Sequence, residues 1–440
     1  MNRKKVLIIT YYWPPTGGSG VQRWVKFAKY LPSEGWQPVI YTPENPEAIT
    51  VDSSLEAEIP SEAEIIRRRI FEPYGIYRTL TGKKKTSGAS SGEVNPINAQ
   101  KKSFTQKVSM WIRGNLFIPD PRCFWVRPSV RFLKKYLKEH PVDVIVSTGP
   151  PHSMHLIAQR VAAHTGIPWV ADFRDPWTKM FYFKHLSLSS WAKRLHIGLE
   201  KKVLDSASAI VAVSPLVQDD FKSMTSTPVE LITNGFDEED FAIKAQPDGM
   251  FSITHTGLFA SDGNPETLWN VLAEKCTEDI GFKRLLRIRL AGKTDLEIVE
   301  SIRKAGLEEN LEDLGYRDHK DAVLCQKSSS LLILPLRKEP EYRATLPGKL
   351  FEYLASGRPV LGIGQTDGAM AVIINRTKAG FVFGWDDKAS IRRYIDLCWE
   401  KFMQGTLEAD TFDIERFSRR NLTHEMAALL DSLDPKENKR

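Results

Sequence analysis

The chain has 440 residues, of which 42% are hydrophobic and 26% are charged. These are ordinary globular proportions, and the length predicts two or three domains of about 150 residues each. The four cysteines are scattered without a Cys-x-x-Cys spacing, which excludes a disulfide framework and a cysteine zinc site. The longest apolar runs are much shorter than a membrane span, which needs about 20 residues. The apolar run after the basic N-terminus MNRKK is too short for a signal peptide. We expect a cytoplasmic protein.

The net charge of +6 is unevenly placed, because residues 61–140 contain 17 Lys and Arg but only 6 Asp and Glu. Aromatic side chains are interleaved with these charges: Phe104, Trp111, Phe117, Phe124, Trp125 and Phe132. Such a stretch favours an anionic partner, either membrane lipid, a lipid-linked phosphate or nucleic acid, although a solvated domain face has the same composition. Since no nucleic-acid motif accompanies it, we assign residues 104–138 to the inner membrane surface or a lipid-linked acceptor, and we expect no nucleic-acid partner.

The first predicted strand covers residues 4–10 and leads through YYWPPTGGSG into a helix with apolar residues at helical spacing. In this turn Gly17, Gly18 and Gly20 allow close backbone approach to a ligand. GGSG is neither Gly-x-Gly-x-x-Gly nor a phosphate-binding loop followed by Gly-Lys-Ser/Thr. The turn therefore argues against a dinucleotide oxidoreductase and a P-loop nucleotide hydrolase.

Strands and helices then alternate, which predicts a parallel sheet with ligands at the carboxyl ends of its strands. The polar segment 79–103 is predicted to be a mobile loop within this half. The predicted strands are 36–41, 65–70, 143–147, 168–172, 208–214 and 229–233, and the predicted helices include 126–139 and 151–166.

At the end of one strand, Asp172 and Asp175 flank Arg174. Loops at this edge line the ligand crevice of a parallel sheet, so we predict that these three residues are catalytic. An Arg–Asp pair that only fixes the loop is the alternative. His152 and His155 share a helix face nearby, but no third ligand accompanies them, and we predict no metal site.

After Asp240 the composition becomes loop-like, and the strand–helix alternation starts again. We predict an N-terminal domain over residues 1–245, a second domain over 246–410, and a terminal segment over 411–440 with an amphipathic helix at 414–433. The chain would then consist of two successive doubly wound α/β units.

In the second half, TLPGKLFEYLASGRPVLGIG reads as a helix followed by a short buried strand. Pro347 suits the first turn of the helix, and Gly357 suits the position after its last residue. The helix N-terminus and Lys349 would face phosphate, while Glu352, one turn deeper, would accept hydrogen bonds from ribose hydroxyls. An ordinary amphipathic helix with a surface Lys–Glu pair is the alternative.

The ordered set of motifs resembles the family-4 retaining glycosyltransferases, of group 1, over nearly the whole chain. The resemblance rests on YYWPPTGGSG, ITNGFD, THTGLF with NPETL, RLAGK, LGY, LPL and TLPGKLFEYLASGRPVLG. It implies the GT-B fold: two facing Rossmann-like doubly wound domains with a cleft between them, the terminal helix crossing back to the first domain. It places the acceptor in the N-terminal domain, on the side of the glycine loop, and the nucleotide-sugar donor in the second domain.

The resemblance also implies roles for individual residues. Glu352 matches the second Glu of the family's Glu-x7-Glu motif, whereas Ala344 occupies the position of the first, as in relatives with a PSKLFEYLA helix. The family's Arg and Lys pair is absent near Gly257, so Lys349, Lys293 and the helix N-terminus are the expected phosphate ligands. Arg174 aligns with a family histidine. The expected donor-binding set is Thr345, Gly348, Lys349, Leu350, Glu352, Gly257, Gly292, Lys293 and Tyr316.

The implied reaction transfers a sugar from a nucleoside-diphosphate sugar to a hydroxyl of a glycan or lipid-linked acceptor, with retention at the anomeric carbon. We expect no cofactor beyond this co-substrate and no metal, since the sequence contains no Asp-x-Asp. Surface polysaccharide or glycolipid synthesis is the expected setting. Two alternatives remain: a nucleotide-sugar 2-epimerase on the same fold, and an inactive donor-binding relative, which the alanine at position 344 suggests.

Overall fold

The structure is a computed structural model that describes residues 3–47, 51–72, 111–112, 114–180, 183, 186–246 and 248–434. The predicted loop at residues 79–103 lies outside these ranges. The described chain forms two compact units. Unit 1 comprises the residues up to Thr233 together with those from Leu422 onward, and unit 2 comprises Asn234–Asn421.

Unit 1 is built on a seven-stranded sheet with the order β3-β2-β1-β4-β5-β6-β7, and all of its pairs are parallel. Its interior strand β1 is buried because Val6 to Ile9 are apolar on both faces, as expected for a strand covered by helices on each side. The strands are β1 Lys4–Ile9, β2 Trp36–Pro43, β3 Glu64–Arg68, β4 Val144–Gly149, β5 Trp169–Phe173, β6 Ala209–Ala212 and β7 Val229–Leu231.

The helices of unit 1 connect these strands and bury one apolar face each. In the first helix, Val21, Trp24, Val25 and Ala28 recur at helical spacing and are fully buried. The helices are α1 Ser19–Tyr30, α2 Cys123–Glu139, α3 Ser153–Thr165, α4 Ser190–Ser206 and α5 Pro215–Met224.

Unit 2 repeats the arrangement with six parallel strands in the order β10-β9-β8-β11-β12-β13. The strands are β8 Phe251–Thr256, β9 Leu286–Ala291, β10 Leu311–Gly315, β11 Leu331–Pro335, β12 Val360–Ile363 and β13 Gly380–Phe383. The helices are α6 Glu238–Phe241, α7 Glu266–Glu278, α8 Ile280–Leu285, α9 Leu296–Lys304, α10 His319–Ser328, α11 Gly348–Ser356, α12 Ala369–Thr377 and α13 Lys388–Met403. Two doubly wound parallel sheets confirm the predicted α/β fold class.

The last helix, α14 Arg419–Leu433, supplies core residues to unit 1. Leu422, Met426 and Leu430 are buried in the same apolar cluster as β1 and α1. Asp431 adds polar contacts, since it lies 2.8 Å from the Lys4 ammonium and accepts a hydrogen bond from the Trp36 indole at 3.1 Å. The sheet and first helix of unit 1 therefore depend on residues from the far end of the chain.

The boundary between the units differs from the predicted one. Residues 234–245, predicted to end the first domain, belong to unit 2. The reason is a backbone pairing: the Phe236 N–H donates to the Phe417 carbonyl at 3.1 Å, and the Arg419 N–H donates to the Phe236 carbonyl at 2.8 Å. Pairing between distant segments leaves no trace in local composition, on which the predicted hinge rested.

The predicted helix of TLPGKLFEYLASG is present as α11. Gly357 follows its last residue with φ +71°, the left-handed conformation that favours glycine at this position. Pro347 precedes the first helical residue instead of lying within the first turn, and its carbonyl accepts the Leu350 N–H at 3.0 Å. Throughout the described residues, helices long and apolar enough to cross a bilayer are absent.

We expect Leu430→Ala to destabilise unit 1 by about 2–5 kcal/mol, because the side chain is fully buried and its removal leaves a cavity. Urea unfolding followed by tryptophan fluorescence measures the change. Leu296→Ala, at an exposed position of unit 2, is the control and should change the unfolding free energy by less than about 0.5 kcal/mol. Equal effects of the two substitutions would contradict the packing role of α14.

Candidate active site

In unit 2, the loop after β8 and the start of α11 meet at Gly257 and Lys349. The Lys349 ammonium donates to the Leu258 carbonyl at 3.2 Å, and its aliphatic chain crosses directly over Gly257. Gly257 has φ +83°, and a Cβ at this position would overlap the lysine side chain. Glycine is therefore required here both by the backbone conformation and by the space that Lys349 occupies.

The ammonium of Lys349 lies in a partly desolvated place. Burial lowers its pKa to about 8, and the carboxylate of Glu352 only partly opposes this shift. Close enough to feel this charge, the His255 ring stacks on Phe259 with 4.2 Å between ring centroids. Burial and the neighbouring Lys349 charge hold the pKa of His255 well below its usual range, so this imidazole is neutral. A bound anion would therefore stabilise the charged form of Lys349.

Glu352 lies one turn into α11, where its carboxylate is oriented by Gln326 of α10. The Gln326 amide donates to Glu352 Oε2 at 2.8 Å and to Thr256 Oγ1 at 3.1 Å. The Thr256 N–H in turn donates to the Tyr353 hydroxyl at 3.0 Å. These contacts fix one carboxylate oxygen of Glu352 and link it to the end of β8.

The loop after β9 joins the same cluster. Gly292 lies directly against the Gly257 carbonyl, and the Lys293 carbonyl accepts the Phe259 N–H at 2.9 Å. The Lys293 side chain is exposed on this loop. The structure thus brings together the predicted residues Gly257, Gly292, Lys293, Lys349 and Glu352 at the carboxyl edge of the unit 2 sheet.

Other predicted donor residues are placed differently. Thr345 follows a short helical turn, and its N–H donates to the Tyr342 carbonyl at 3.0 Å. Gly348 is the first residue of α11, and the space where a side chain would project is empty. Tyr316 follows β10, two strands away from β8 in the sheet, and its side chain is 87% exposed. Leu350 requires a correction. Its side chain is 0% exposed and belongs to the interior, because it lies on the apolar stripe of α11.

In unit 1, the glycine loop and Arg174 meet, although 154 positions separate Gly20 from Arg174. The Arg174 guanidinium donates to the Gly20 carbonyl at 2.8 Å and also to the Pro150 carbonyl, and it lies over the Tyr12 ring. A side chain at position 20 would overlap this guanidinium. Gly18 precedes the first residue of α1 and has φ +103°. Arg174 therefore holds the glycine loop against the loop after β4.

Asp172 lies in the interior, which corrects the prediction that it lines an open crevice. Its carboxylate pairs with Arg23 at 2.9 Å and accepts hydrogen bonds from Trp24 Nε1 at 2.7 Å and Thr148 Oγ1 at 2.8 Å. Burial alone would raise the pKa of Asp172, but the Arg23 charge and these donors hold it below its usual value. Arg23 also donates to the Thr233 carbonyl at 2.6 Å. The Asp172 carboxylate thus has its hydrogen-bond partners within the protein, and it fixes α1 to β4 and β5.

The remaining predicted residues at the carboxyl edge of the unit 1 sheet differ in burial and in their partners. Asp175 is partly buried beside Arg174, and Gly17 is partly buried in the loop before α1. His152 stacks on Trp177 with 4.5 Å between ring centroids, and His155 Nδ1 lies 2.8 Å from Ser147 Oγ. Within the described ranges, groups of three or more His, Cys, Asp and Glu side chains placed to hold a metal ion are absent.

Several residues of this geometry were not predicted from the sequence. Arg23 and Gln326 lie on helices without a recognisable motif, and His255 lies within a buried strand. One signal was available: Arg23 stands among Val21, Trp24 and Val25 on a helix whose apolar stripe is buried. A cation beside such a stripe needs a buried partner.

Comparison with solved structures defines the class of fold. Sucrose-phosphate synthase from Thermosynechococcus elongatus is 13% identical, with a TM-score of 0.61 over 98% of this chain and 99% of that chain. WaaG, a glycosyltransferase involved in lipopolysaccharide biosynthesis, is 14% identical, with a TM-score of 0.54 over 97% of this chain and 99% of that chain. A putative UDP-N-acetylglucosamine 2-epimerase from Listeria monocytogenes is 10% identical, with a TM-score of 0.53 over 98% of this chain and 96% of that chain. The chain has the two-domain GT-B fold.

The family follows from the sequence itself. Residues 103–240 match the model of Glycosyltransferase Family 4, and residues 254–400 match that of Glycosyl transferases group 1. Together the two segments cover most of the chain, which belongs to this group of glycosyltransferases, as the resemblance predicted. A comparison with curated protein sequences gives no significant match.

We expect Asp172→Ala to lower the free energy of unfolding by about 3–5 kcal/mol, since it leaves the buried Arg23 charge without its partner. Chemical denaturation measures this loss. Asp175→Ala, three residues away and partly exposed, is the matched control and should cost less than about 1 kcal/mol. If Asp172→Ala is no more destabilising than the control, Asp172 is not the interior ion-pair partner described here.

Proposed function

We propose that the protein is a retaining, metal-independent glycosyltransferase that moves a sugar from a nucleoside-diphosphate sugar to a hydroxyl of a glycan or lipid-linked acceptor. The observation that carries the proposal is the placement of Lys349 over Gly257 at the start of α11, with Glu352 one turn deeper. Surface polysaccharide or glycolipid synthesis is the proposed setting.

The phosphate end of the donor is assigned to Lys349 and the first turn of α11. The backbone N–H groups of this turn and the lysine ammonium both favour an anion. Partial burial strengthens their interaction with a diphosphate, because the effective dielectric constant there is lower than in water. The exposed Lys293 on the adjoining loop supplies a second positive charge. These cations account for the charge that a divalent metal carries in other transferases.

The nucleoside end is assigned to Glu352. Gln326 holds one oxygen of its carboxylate, which leaves the other oriented to accept hydrogen bonds from two neighbouring ribose hydroxyls. The position of the first Glu of the family motif is occupied by Ala344, at the end of a short helical turn. We therefore propose no contact between the residue 344 side chain and the transferred sugar. For Thr345 and Gly348 we propose contact with the donor through their backbone.

In the proposed reaction, the bond between the anomeric carbon and the diphosphate oxygen breaks, and the acceptor oxygen bonds to the same face of the sugar. The acceptor proton passes to the departing diphosphate, so that no side chain is needed as the general base. Lys349 stabilises the negative charge that develops on the leaving group. Retention is proposed from the resemblance to family-4 retaining enzymes. No cofactor other than the donor is proposed.

The acceptor side is assigned to unit 1, at the loop that carries Gly17, Gly18 and Gly20. Arg174 fixes this loop through the Gly20 carbonyl, and Asp172 fixes α1 through Arg23, so both act by positioning. Asp175 is partly exposed at the same edge and is the carboxylate we retain as a direct acceptor contact.

A nucleotide-sugar 2-epimerase is the second candidate, because a protein with that description shares the fold. An epimerase would use the same nucleotide site but would convert the donor without any acceptor. A donor-binding relative without activity would bind the donor and leave it unchanged. Product analysis with and without acceptor separates these three outcomes.

We expect one class of nucleotide sugar to stabilise the protein in a thermal-shift screen of UDP-, GDP-, ADP- and CMP-sugars. A ligand at 100 times its Kd adds about 2.7 kcal/mol of stability. Glu352→Ala should weaken this binding by about 1.5–3 kcal/mol, because a charge-assisted contact is lost while the fold remains. The control is Glu408→Ala, an exposed carboxylate of the same unit. Unchanged donor affinity in Glu352→Ala would refute the ribose assignment.

The pKa of Lys349 predicts how nucleoside-diphosphate affinity depends on pH. With a pKa of about 8 in the free protein, the lysine loses its charge as the pH rises through 8, so binding of the diphosphate should weaken above that pH by up to tenfold per unit. Calorimetric titration with UDP and GDP between neutral and alkaline pH measures the effect. Lys349→Arg, which stays charged, should abolish the decline. An affinity that is flat across this range in the unchanged protein would contradict the assignment.

A further inference from the structure

Unit 1 exposes a group of large apolar side chains that the proposed reaction does not use. Their exposed fractions lie between 37% and 61%, values that most aromatic and leucine side chains avoid in a folded domain. We call this group the apolar rim, and it consists of Phe71, Trp111, Leu116, Phe124, Trp191 and Leu195. Clustered exposure of this kind indicates an interaction surface.

The segments that carry the apolar rim are joined by ring contacts and by the hydrogen bonds of Asn115. The Phe124 ring lies 6.0 Å from that of Phe71 and 5.8 Å from that of Phe117, measured between centroids. Asn115 joins this part to the start of α4, because it donates to the Ser187 carbonyl at 3.2 Å and accepts the Ser189 N–H at 2.7 Å.

Within α4, Trp191 and Leu195 are four residues apart and therefore share one side of the helix. The sequence connects Trp111 and Phe124 with a membrane, whereas no pattern in the sequence indicates the contribution from α4.

A row of cations extends from the apolar rim along α2. Arg127, Arg131, Lys135 and Lys138 follow Phe124 at spacings of three and four residues, so they occupy one side of the helix. All four are exposed, and none forms an ion pair with another described residue. We call these four residues the basic stripe. The acidic content of α2 is limited to Glu139, its last residue.

The apolar rim lies at the carboxyl edge of the unit 1 sheet. Phe71 follows β3, and α2 begins at the carboxyl edge of the sheet because it leads back to the start of β4. Asp120, just before α2, accepts the Ser153 N–H at 2.8 Å at the start of α3, which also lies at this edge. The apolar rim is thus on the same edge as Gly20 and Arg174, and the basic stripe runs away from it.

We propose that the apolar rim and the basic stripe together form a docking surface for an anionic lipid bilayer. Amphipathic aromatic side chains insert at the boundary between headgroups and acyl chains, while exposed Lys and Arg attract acidic headgroups. A symmetric pairing of two copies through this face is disfavoured, since each copy would bring the same four cations while α2 offers only Glu139 as an acidic partner.

Docking brings the bilayer to the edge of unit 1 that carries the glycine loop, where a lipid-linked acceptor would arrive. The proposal goes beyond the transfer reaction and does not require it, because vesicle binding is measured without donor or acceptor. Failure of vesicle binding therefore leaves the proposed transfer untouched, and failure of transfer leaves docking untouched.

The test is flotation of the full chain with two kinds of vesicles: phosphatidylcholine alone, and phosphatidylcholine with about one-third phosphatidylglycerol. The rim variant carries Phe124→Ser and Trp191→Ser, and the stripe variant carries Arg127→Glu and Arg131→Glu. Matched controls in unit 2 are Ile280→Ser with Leu296→Ser, both exposed, and Lys304→Glu with Lys401→Glu, also exposed. Melting temperatures verify that every variant is folded.

We expect the unchanged protein and both controls to float with the anionic vesicles at low salt and to be released at high salt. The stripe variant should lose about 30-fold or more in vesicle affinity, and the rim variant at least about tenfold. Absence of binding by the unchanged protein, or binding that neither variant weakens, overturns the proposal. A change of oligomeric state or of RNA binding in the variants, with vesicle binding unaltered, overturns it in favour of a second copy or of nucleic acid.

Discussion

The structure depends on one constraint: the strands of both described sheets pair in parallel. Parallel pairing sends every loop that follows a strand to the same edge, so residues far apart in sequence meet there. In unit 1 this edge joins Gly20 to Arg174, and in unit 2 it joins Gly257 to Lys349. Each pairing consists of a cation from a later segment lying over a glycine from an earlier one. The sites are thus consequences of strand direction as much as of residue type.

The elements themselves were accessible from the sequence, because they rest on local patterns. The buried run of β1, the apolar spacing of α1 and the Gly357 end of α11 all follow from hydrophobic period and backbone preference, and the structure contains all three. The family was accessible too, since the order of several weak motifs is informative where no single motif is.

What the sequence did not reveal is how charges pair across elements. Asp172 and Arg174 stand two residues apart and suggested a joint role, yet the first faces the interior and the second faces the glycine loop. Alternation along a strand would place residues 172 and 174 on the same side, but β5 ends at Phe173 and Arg174 lies in the loop beyond it. The partner of Asp172 is Arg23, 149 positions earlier. Likewise, Gln326 reaches Glu352 from a different helix. Such partners depend on helix packing, which a single sequence does not encode locally.

Two cations, Arg23 in unit 1 and Lys349 in unit 2, differ in the partners that surround them. Arg23 is fully buried, meets a carboxylate at 2.9 Å and donates to backbone carbonyls as well, so it has no capacity left for a ligand. Lys349 is partly buried, but among the described residues no carboxylate lies within ion-pair distance of it, and its ammonium donates to the Leu258 carbonyl. Partial burial of a cation without a counter-ion destabilises its charged form, and a bound phosphate would offset this cost. This difference favours unit 2 as the nucleotide-binding half and makes the ion pair of unit 1 a support for its loops.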